Sequence, residues 1–463
     1  MTGAPQADDP APAPALPDAR PAREAGTRAS ATQDAAAGAA DAADTDFGFW
    51  FDVPRARWIG GNAVRLLEGG AEMFPAIERA LAEAKREVWF ATYIFHDDAA
   101  AHAIARGLVD AAARGVEVHV VVDGFGSNRT LPTLRRWLAV PGLQLEVFRP
   151  IDRWWRWLQP GQLRRMHQKL CVVDDAVAFV GGINVIDDHN DINHGWSELP
   201  RLDYAVELRG PLVDAVLHAA RAMWARAHLR HEWKRELARL ARSERPMART
   251  LQLIRRLSAA PRRPEPEDVP AEPARAAFVV RDNFRQRRAI EHRYVTAIGR
   301  ARDRIDIACP YFYPGASFMR ALRKAARRGV KVRLLMQGKV DYRLAALAAR
   351  AVYDELRAHG VRIYEYTPAF LHAKVACIDD AWATVGSSNI DPLSLLLNLE
   401  ANVVVRDRAF TEALAARLER AFAVSTEVTT APAQSGWRRW LHRGFVAWAA
   451  QVYLRVAGVT GRY

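Results

Sequence analysis

Two stretches of the chain decide its fold, because they carry the same spaced set of polar residues. Residues 167–184 are HQKLCVVDDAVAFVGGIN, and residues 372–389 are HAKVACIDDAWATVGSSN. Both follow the pattern H-x-K-x4-D-x6-G-x2-N. One copy should arise by chance in roughly one chain in several thousand. A second copy at identical spacing leaves little room for accident and indicates a duplicated domain.

The sequence around each motif repeats one order of predicted elements. In the first block we predict a strand over Val88–Phe95, a helix over Ala99–Arg114 and strands over Val116–Asp123 and Leu143–Phe148. In the second block we predict a strand over Ile305–Cys309, a helix over Ser317–Arg328 and a strand over Val330–Met336. Alternating strands and helices are typical of βαβ units. The predicted fold is α/β: two similar domains with mixed, largely parallel sheets, packed about a pseudo-twofold axis.

Composition divides the chain further. Residues 1–46 are rich in Ala, Pro and Asp and are predicted to be disordered. The predicted domains are 47–230 and 276–425. A basic helical segment with a Pro-rich linker occupies 231–275, and a basic, aromatic segment that associates with membranes occupies 426–463.

The charge of the chain favours a polyanionic partner. The net charge is +13, although residues 1–46 hold eight acidic residues and only three arginines, so the rest carries +18. Such a body attracts nucleic acid or an anionic membrane. The three cysteines lie in apolar runs and are predicted to be buried and reduced. No secretory signal or spanning segment is predicted, so any membrane contact is expected to be peripheral.

The motif residues suit phosphoryl chemistry. Alternate residues of a strand face one side, so each histidine points with its lysine, and pairing the two domains brings two of each into one pocket. The lysines are expected to bind phosphate oxygens, helped by hydroxyls and amides. These helpers are Ser387, Ser388, Asn184 and Asn389. One histidine can attack phosphorus while the other protonates the leaving oxygen.

The doubled motif resembles that of the phospholipase D superfamily. Further matches in the second half, such as Pro310-Tyr311-Phe312 and Asn398-Leu399-Glu400-Ala401-Asn402, are similar to bacterial cardiolipin synthases, most of all the type B form. The resemblance covers most of residues 60–425. It implies a transfer without metal or other cofactor, in which one phosphatidylglycerol loses glycerol and a second accepts the phosphatidyl group.

The resemblance also implies a role for each candidate residue. His167 is the expected nucleophile, His372 the acid and then the base, and Lys169 and Lys374 hold the phosphate. An acid downstream of each motif is expected to orient its histidine. Asp203 and Glu400 match these two positions. The motif acids Asp174 and Asp379 belong to the catalytic motifs, where the family uses them as structural supports.

Several alternatives stay open. The first is a phospholipase D that uses water or another alcohol as the acceptor instead of a second lipid. The second is a nuclease with the same catalytic residues, and the third is a non-enzymatic membrane adaptor. The expected partner is an anionic phospholipid membrane on the cytoplasmic face of the bacterial inner membrane, through Arg153–Leu158 and Trp437–Arg455. A metal site at Asp187–His189 and Asp191–His194 is weighed against a loop that lines the substrate, which is favoured.

Overall fold

The structure, a computed structural model, describes residues 55–151, 164–192, 195–241, 274–282, 286–339, 353–391 and 398–429. In the helix that ends at Ala241, side chains are described only as far as residue 228. The predictions for residues 1–46, 153–158, 242–273 and 430–463 therefore lie outside the described residues.

The first half of the molecule, as we name Ile59–Ala241, contains nine strands and four helices in its described part. The strands are β1 Ile59–Glu68, β2 Glu87–Thr92, β3 Glu117–Asp123, β4 Leu143–Phe148, β5 Leu170–Val173, β6 Val177–Gly181, β7 Asn190–Asp191, β8 Gly195–Trp196 and β9 Tyr204–Arg209. The helices are α1 Gly69–Glu83, α2 Ala99–Ala113, α3 Leu131–Trp137 and α4 Val213–Ala241.

The second half, Ala274–Glu427, repeats this series apart from its short accessory strands. The strands are β10 Ala274–Arg281, β11 Arg304–Ala308, β12 Lys331–Gln337, β13 Arg362–Tyr366, β14 Val375–Ile378, β15 Trp382–Gly386, β16 Glu400–Arg406 and β17 Thr426–Glu427. The helices are α5 Ala289–Arg300, α6 Ala316–Arg327, α7 Tyr353–Arg357 and α8 Arg408–Ala423. The predicted strands and helices agree with these bounds to within three residues.

Local signals explain where the repeated helices begin and end. The Asp98 carboxylate accepts the Ala101 amide at 3.0 Å and caps α2. Asp407 caps α8 in the same way through the Phe410 amide at 2.7 Å. Such caps satisfy amides that lack a partner in the first helical turn.

One sheet runs through both halves, and its strand order is symmetric. From the centre outward the first half runs β1-β9-β6-β5-β2-β3-β4, and the second runs β10-β16-β15-β14-β11-β12-β13, followed by β17. Strands β1 and β10 join the halves as an antiparallel pair. An antiparallel pair at the centre relates its two sides by a twofold rotation, so this order fits the predicted pseudo-twofold arrangement.

The predicted α/β class, the mixed sheet and the duplication are confirmed, but the expected predominance of parallel pairs is wrong. Among the described strands only β2–β3–β4 and β11–β12–β13 pair in parallel. The inner strands of each half are antiparallel. Here β5–β6 and β14–β15 are tight hairpins, and a hairpin forces antiparallel pairing.

The apolar core occupies both faces of the sheet. On one face, a single cluster joins α4 and α8 to strands of both halves. On the other face, α1–α3 cover the first half and α5–α7 the second, with a separate cluster under each set. The shared cluster fixes the halves against each other, because apolar area buried across their boundary is removed from water only when they are docked. Cys171, Cys309 and Cys377 are buried and free, as predicted.

Candidate active site

The two motif histidines are held by backbone bonds that cross between the halves. His167 lies just before β5, and its amide donates to the Leu399 carbonyl at 2.9 Å, while the Leu399 amide donates to the Arg165 carbonyl at 2.8 Å. The same bridge recurs where the His372 amide donates to the Leu202 carbonyl at 2.9 Å. Each histidine segment therefore lies beside the segment that precedes the downstream acid of the other half.

The histidine–acid pairs are crossed as a result. His167 Nδ1 lies 2.9 Å from Glu400 Oε2, and His372 Nδ1 lies 2.6 Å from Asp203 Oδ2. The expectation that each acid orients the histidine of its own motif is therefore wrong. Each acid begins or directly precedes the strand next to the central pair, β9 or β16, and it reaches across the boundary. With Nδ1 bound to a carboxylate, Nε2 of each ring is the nitrogen available for chemistry.

Both imidazoles face one cavity of about 700 Å³ between the halves. His167, Asn184, His372 and Asn389 all contribute to its wall. Two predicted histidines and two predicted amides thus meet at one place. A cavity of this size accommodates a headgroup with its phosphate and not a whole two-chain lipid.

The motif lysines are not among the residues that line the cavity. Lys169 and Lys374 are buried, and each Nζ donates to the backbone carbonyl of its own motif histidine, at 2.8 Å for Lys169. Burial lowers the pKa of Lys169 to about 7 and that of Lys374 to about 8. An anion bound in the cavity would favour the protonated lysines, because an opposite charge stabilises the charged form.

The two acids differ in charge state. Burial raises the pKa of Asp203 to about 6. Burial also acts to raise the pKa of Glu400, but the charge and hydrogen bond of His167, aided by Lys169 and Ser387, outweigh it, so this pKa falls below its usual value. Glu400 therefore stays ionised to a lower pH than Asp203 does.

Burial disfavours the charged form of both imidazoles. Burial is the largest cause that lowers the pKa of His167, partly offset by Glu400. Burial also lowers the pKa of His372 well below its usual value, and the nearby Lys374 and Arg201 act in the same direction. A neutral His167 can act as a nucleophile, whereas an acid role for His372 requires the negative charge of a bound phosphodiester.

The two predicted serine hydroxyls donate hydrogen bonds to Glu400 and to the backbone. Ser387 Oγ donates to Glu400 Oε2 at 2.5 Å, and Ser388 Oγ donates to the Asn389 carbonyl at 3.2 Å. Both serines are buried and, unlike the two asparagines, neither belongs to the cavity wall. Gly182 occupies the position of Ser387 in the first half, where a Cβ would lie 2.4 Å from Asp203 Oδ1.

The motif aspartates lie away from the cavity, in the turns that follow β5 and β14. Asp174 accepts the Lys85, Arg86 and Glu87 amides at 2.7–3.0 Å. Asp379 accepts the amides of residues 302–304 in the same manner. Both have positive φ, +53° and +52°. This geometry agrees with the structural role and corrects their inclusion in the catalytic set.

Sequence reasoning missed two residues beside the histidines. The Tyr93 ring packs edge-on against His167 at 5.0 Å and lies 5.4 Å from Lys169 Nζ. Arg201 lines the cavity and donates to the Asn190 carbonyl at 2.6 Å. Tyr93 directly follows β2, where the ends of parallel strands collect site residues. Arg201 lies two residues before Asp203, in a loop without a pattern.

The acidic loop at 187–191 forms part of the cavity wall. Asn190 and Asp191 line it, Asp188 accepts the Gly70 amide at 2.5 Å, and His189 stacks on Trp196 with ring centroids 5.1 Å apart. Within the described residues, which exclude 193–194, no group of three metal-ligating side chains converges. The loop therefore lines the cavity, and its contact with substrate stays a prediction.

Fold and site together define a duplicated α/β protein with two crossed histidine–acid pairs and two buried lysines around one cavity. Comparisons with known proteins make the class specific. The family model described as "Cardiolipin synthase, PLD-like domain" matches residues 77–195 and 294–422. The chain belongs to this family, and it is an enzyme: a phosphatidyltransferase of the phospholipase D superfamily.

Particular relatives support this family membership. The chain is 35% identical to cardiolipin synthase B of Escherichia coli strain K12, over 82% of this chain and 86% of that protein. It is 30% identical to cardiolipin synthase A of Pseudomonas entomophila, over 80% and 71% of the two chains. Among solved structures, a phosphatidylserine synthase of Haemophilus influenzae aligns with a TM-score of 0.56 at 11% identity, covering 88% of this chain and 98% of that one. This last likeness supports the fold.

Proposed function

We propose that the protein is a cardiolipin synthase that transfers a phosphatidyl group from one phosphatidylglycerol to another and releases glycerol. The observation that carries the proposal is the pair of crossed histidine–acid contacts facing one cavity. Two imidazoles with free Nε2 atoms supply a nucleophile and a proton carrier at one phosphorus. The similarity to cardiolipin synthases B over most of the chain supports lipid as the substrate.

In the first proposed step, His167 Nε2 attacks the phosphorus of the first phosphatidylglycerol. A P–N bond forms, the bond from phosphorus to the glycerol oxygen breaks, and His372 gives its proton to that oxygen. Glu400 stabilises the positive charge that develops on the His167 ring, since its carboxylate accepts at Nδ1. The assignment of His167 as nucleophile follows the family resemblance, and the anionic character of Glu400 supports it.

In the second proposed step, the neutral His372 removes the proton of a hydroxyl on the second phosphatidylglycerol. The oxygen attacks phosphorus, the P–N bond breaks, and cardiolipin leaves. Lys169 and Lys374 balance the phosphate charge in both steps, so we propose that the chemistry needs no metal. One phosphodiester is made for each one broken, so no external energy source is required.

Exposed apolar side chains at the cavity support access from a membrane. Within the described residues, the large apolar side chains that are exposed are Phe125, Ile192, Trp196, Leu199 and Val424. Phe125 and Ile192 line the cavity, and Trp196 belongs to the same β7–β8 hairpin as the lining residue Gly195. No helix in the described part of the chain is long and apolar enough to cross a membrane. We propose peripheral binding, on the cytoplasmic face, with this rim against the lipid.

The decisive experiment incubates the purified protein with phosphatidylglycerol liposomes and a chelator, and follows products by mass spectrometry. Cardiolipin and glycerol are expected, and His167→Ala and His372→Ala should abolish both. Phosphatidic acid as the main product would identify a hydrolase and overturn the proposed acceptor. Lipid left intact while DNA is cleaved would replace the lipid substrate with nucleic acid.

A further inference from the structure

A second cavity, of about 430 Å³, lies beside the C-terminal end of β16, whereas the paired histidines lie near its N-terminal end. Strand β16 connects the two places, because Glu400 at its start contacts His167 and Arg406 at its end lines the second cavity. Six residue steps along a strand separate the two residues by about 20 Å. The wall of this second cavity includes Trp58, Arg293, Arg300, Arg406 and Arg408.

Several arginines lie close together at this cavity, although their positive charges repel one another. Arg275 and Arg406 are directly opposite each other on the antiparallel strands β10 and β16. Like charges in that position are destabilising. The guanidinium carbon of Arg406 lies 4.2 Å from the centre of the Trp58 ring, and that of Arg293 lies 5.6 Å from it. Burial lowers the pKa of Arg406, and the charges of Arg300, Arg275 and Arg293 lower it further.

The carboxylates around the cavity are engaged elsewhere. Asp379 accepts backbone amides, and Asp407 caps α8. Asp380 lies 3.8 Å from Arg408, which also bonds Glu412 at 2.8 Å. Within the described part of the chain, no carboxylate lies within ion-pair distance of three of the arginines, which are Arg275, Arg300 and Arg406.

The duplicated strands supply an internal comparison. Counted from the motif glycines that end β6 and β15, Arg209 of the first half occupies the position of Arg406. Ala63 occupies the position of Arg275. Arg209 forms an ion pair with Glu207, with Nε 3.1 Å from Oε1, and Glu207 also pairs with Arg65. At the matched positions the first half therefore has one arginine beside a carboxylate, whereas the second half has two arginines that face each other.

The repeated helices show the same difference. Both α1 and α5 end in one turn, where the cap amide donates to the carbonyl three residues earlier at 3.3 Å. Aligned on that turn, Glu83 of the first half matches Arg300, and Ala76 matches Arg293. The four matched residues of the first half carry no net charge together, whereas those of the second half carry +4. The first-half residues are Ala63, Ala76, Glu83 and Arg209, and their counterparts are Arg275, Arg293, Arg300 and Arg406.

We propose that Arg275, Arg293, Arg300 and Arg406, which we call the arginine cluster, form a second anion site that binds a phosphate group. Guanidinium groups match phosphate oxygens in geometry, and stacking on Trp58 fixes two of them in advance. A bound anion also removes the repulsion that the first half avoids. The phosphate belongs either to the headgroup of an anionic phospholipid or to a soluble phosphate compound.

The first test counts inorganic phosphate sites by isothermal titration calorimetry on the full chain. We expect two sites in the wild type, one at the lysines and one at the arginine cluster. Arg275→Ala/Arg406→Ala and Lys169→Ala/Lys374→Ala should each leave one. The matched control Arg209→Ala should keep both, since this arginine already has a carboxylate partner in Glu207. Two sites of unchanged affinity in the Arg275→Ala/Arg406→Ala protein would overturn the proposal.

A single substitution at an exposed position tests the same site with less risk that the variant fails to fold. Arg300 is exposed, and Arg300→Glu installs the residue of the matched first-half position. It should weaken phosphate binding at the second site at least about tenfold and leave the thermal melting temperature without phosphate unchanged or higher. Unchanged affinity at that site counts against the arginine cluster.

Flotation with phosphatidylglycerol liposomes, compared with neutral phosphatidylcholine liposomes, identifies the source of the phosphate. If the variants that lose the second phosphate site also bind anionic liposomes less well than Arg209→Ala, the ligand is a lipid headgroup. If they lose the phosphate site but float like the wild type, the ligand is a soluble phosphate compound. Neither readout involves turnover, so the outcome is independent of the proposed synthase activity.

Discussion

The two halves have the same strand order but contribute different residues to the candidate active site. The second half contributes Glu400, which is anionic and braced by the Ser387 hydroxyl. The first half contributes the shorter Asp203, whose pKa is raised to about 6 by burial, with Gly182 packed against it. Duplication supplies two histidines, two lysines and two acids, and we propose that these differences let the two imidazoles take different roles.

The largest expected effect separates the two histidines. On phosphatidylglycerol, His167→Ala and His372→Ala should each lose at least about 10³-fold in rate. On a phosphodiester whose leaving group is p-nitrophenolate, His372→Ala should recover most of the lost activity, because that group departs without a proton. His167→Ala should stay inactive, since it lacks the nucleophile.

Release of p-nitrophenolate in a burst, followed by absorbance, measures this difference. Equal recovery in the two variants would end the assignment of distinct roles. Rescue of His167→Ala alone would reverse the roles of the two halves.

The next largest effect compares the residues behind the two acids. Gly182→Ala puts a Cβ 2.4 Å from Asp203 Oδ1, so the carboxylate that holds His372 must move. Ser387→Ala removes one hydrogen bond to Glu400 and leaves that carboxylate in place. We expect at least about 100-fold loss of turnover for Gly182→Ala and about tenfold or less for Ser387→Ala.

Steady-state turnover on phosphatidylglycerol in mixed micelles, with thermal melting to check folding, compares these two variants. A larger loss in Ser387→Ala would mean that the braced Glu400, and not the packing at Asp203, limits the reaction.

A smaller effect concerns the apolar rim of the cavity. Trp196→Ser should lower turnover on phosphatidylglycerol vesicles about tenfold or more, because a side chain that is 72% exposed no longer enters the lipid. Turnover of a short-chain, monomeric phosphatidylglycerol should stay unchanged. Val424→Ser is the control, since Val424 is 57% exposed and lies in the turn after α8. Equal loss on both substrates would contradict a docking role for the rim.

The smallest effect contrasts the lysines with the arginine cluster. The lowered pKa values, about 7 for Lys169 and about 8 for Lys374, mean that the empty site loses positive charge as the pH rises from 7 to 9. Because a bound anion favours protonated lysines, phosphate binding there should take up protons near pH 8 and weaken as pH rises. Binding at the arginine cluster should take up none, since guanidinium stays charged.

Calorimetry at pH 8 in two buffers of different ionisation enthalpy measures the protons taken up. The uptake should persist in Arg275→Ala/Arg406→Ala and vanish in Lys169→Ala/Lys374→Ala. Uptake that survives without the lysines would exclude them as its source.

Much of the fold followed from local patterns. The strands β2–β4 and β11–β12 and the helices α2 and α6 were predicted because apolar periodicity and the closing glycines Gly115 and Gly329 are local signals. The direction of strand pairing was predicted less well. One hairpin in each half, β5–β6 or β14–β15, inserts antiparallel strands beside the parallel ones. The pattern of a buried strand is the same in either direction.

The sequence by itself determined the duplication, the α/β class and the sets of histidines, lysines, amides and downstream acids, because spacing along a strand fixes which side chains point together. Only the tertiary structure decided that each acid serves the histidine of the other half, that Ser387 braces Glu400, and that Asp174 and Asp379 hold turns away from the cavity. It also decided that arginines on β10, α5 and β16 share one surface. The two histidine–acid contacts join residues 233 and 169 positions apart, and only the docking of the two halves brings them together. The contacts of Ser387, Asp174 and Asp379 each lie within one half, where the folding of that half brings together residues 13 to 88 positions apart.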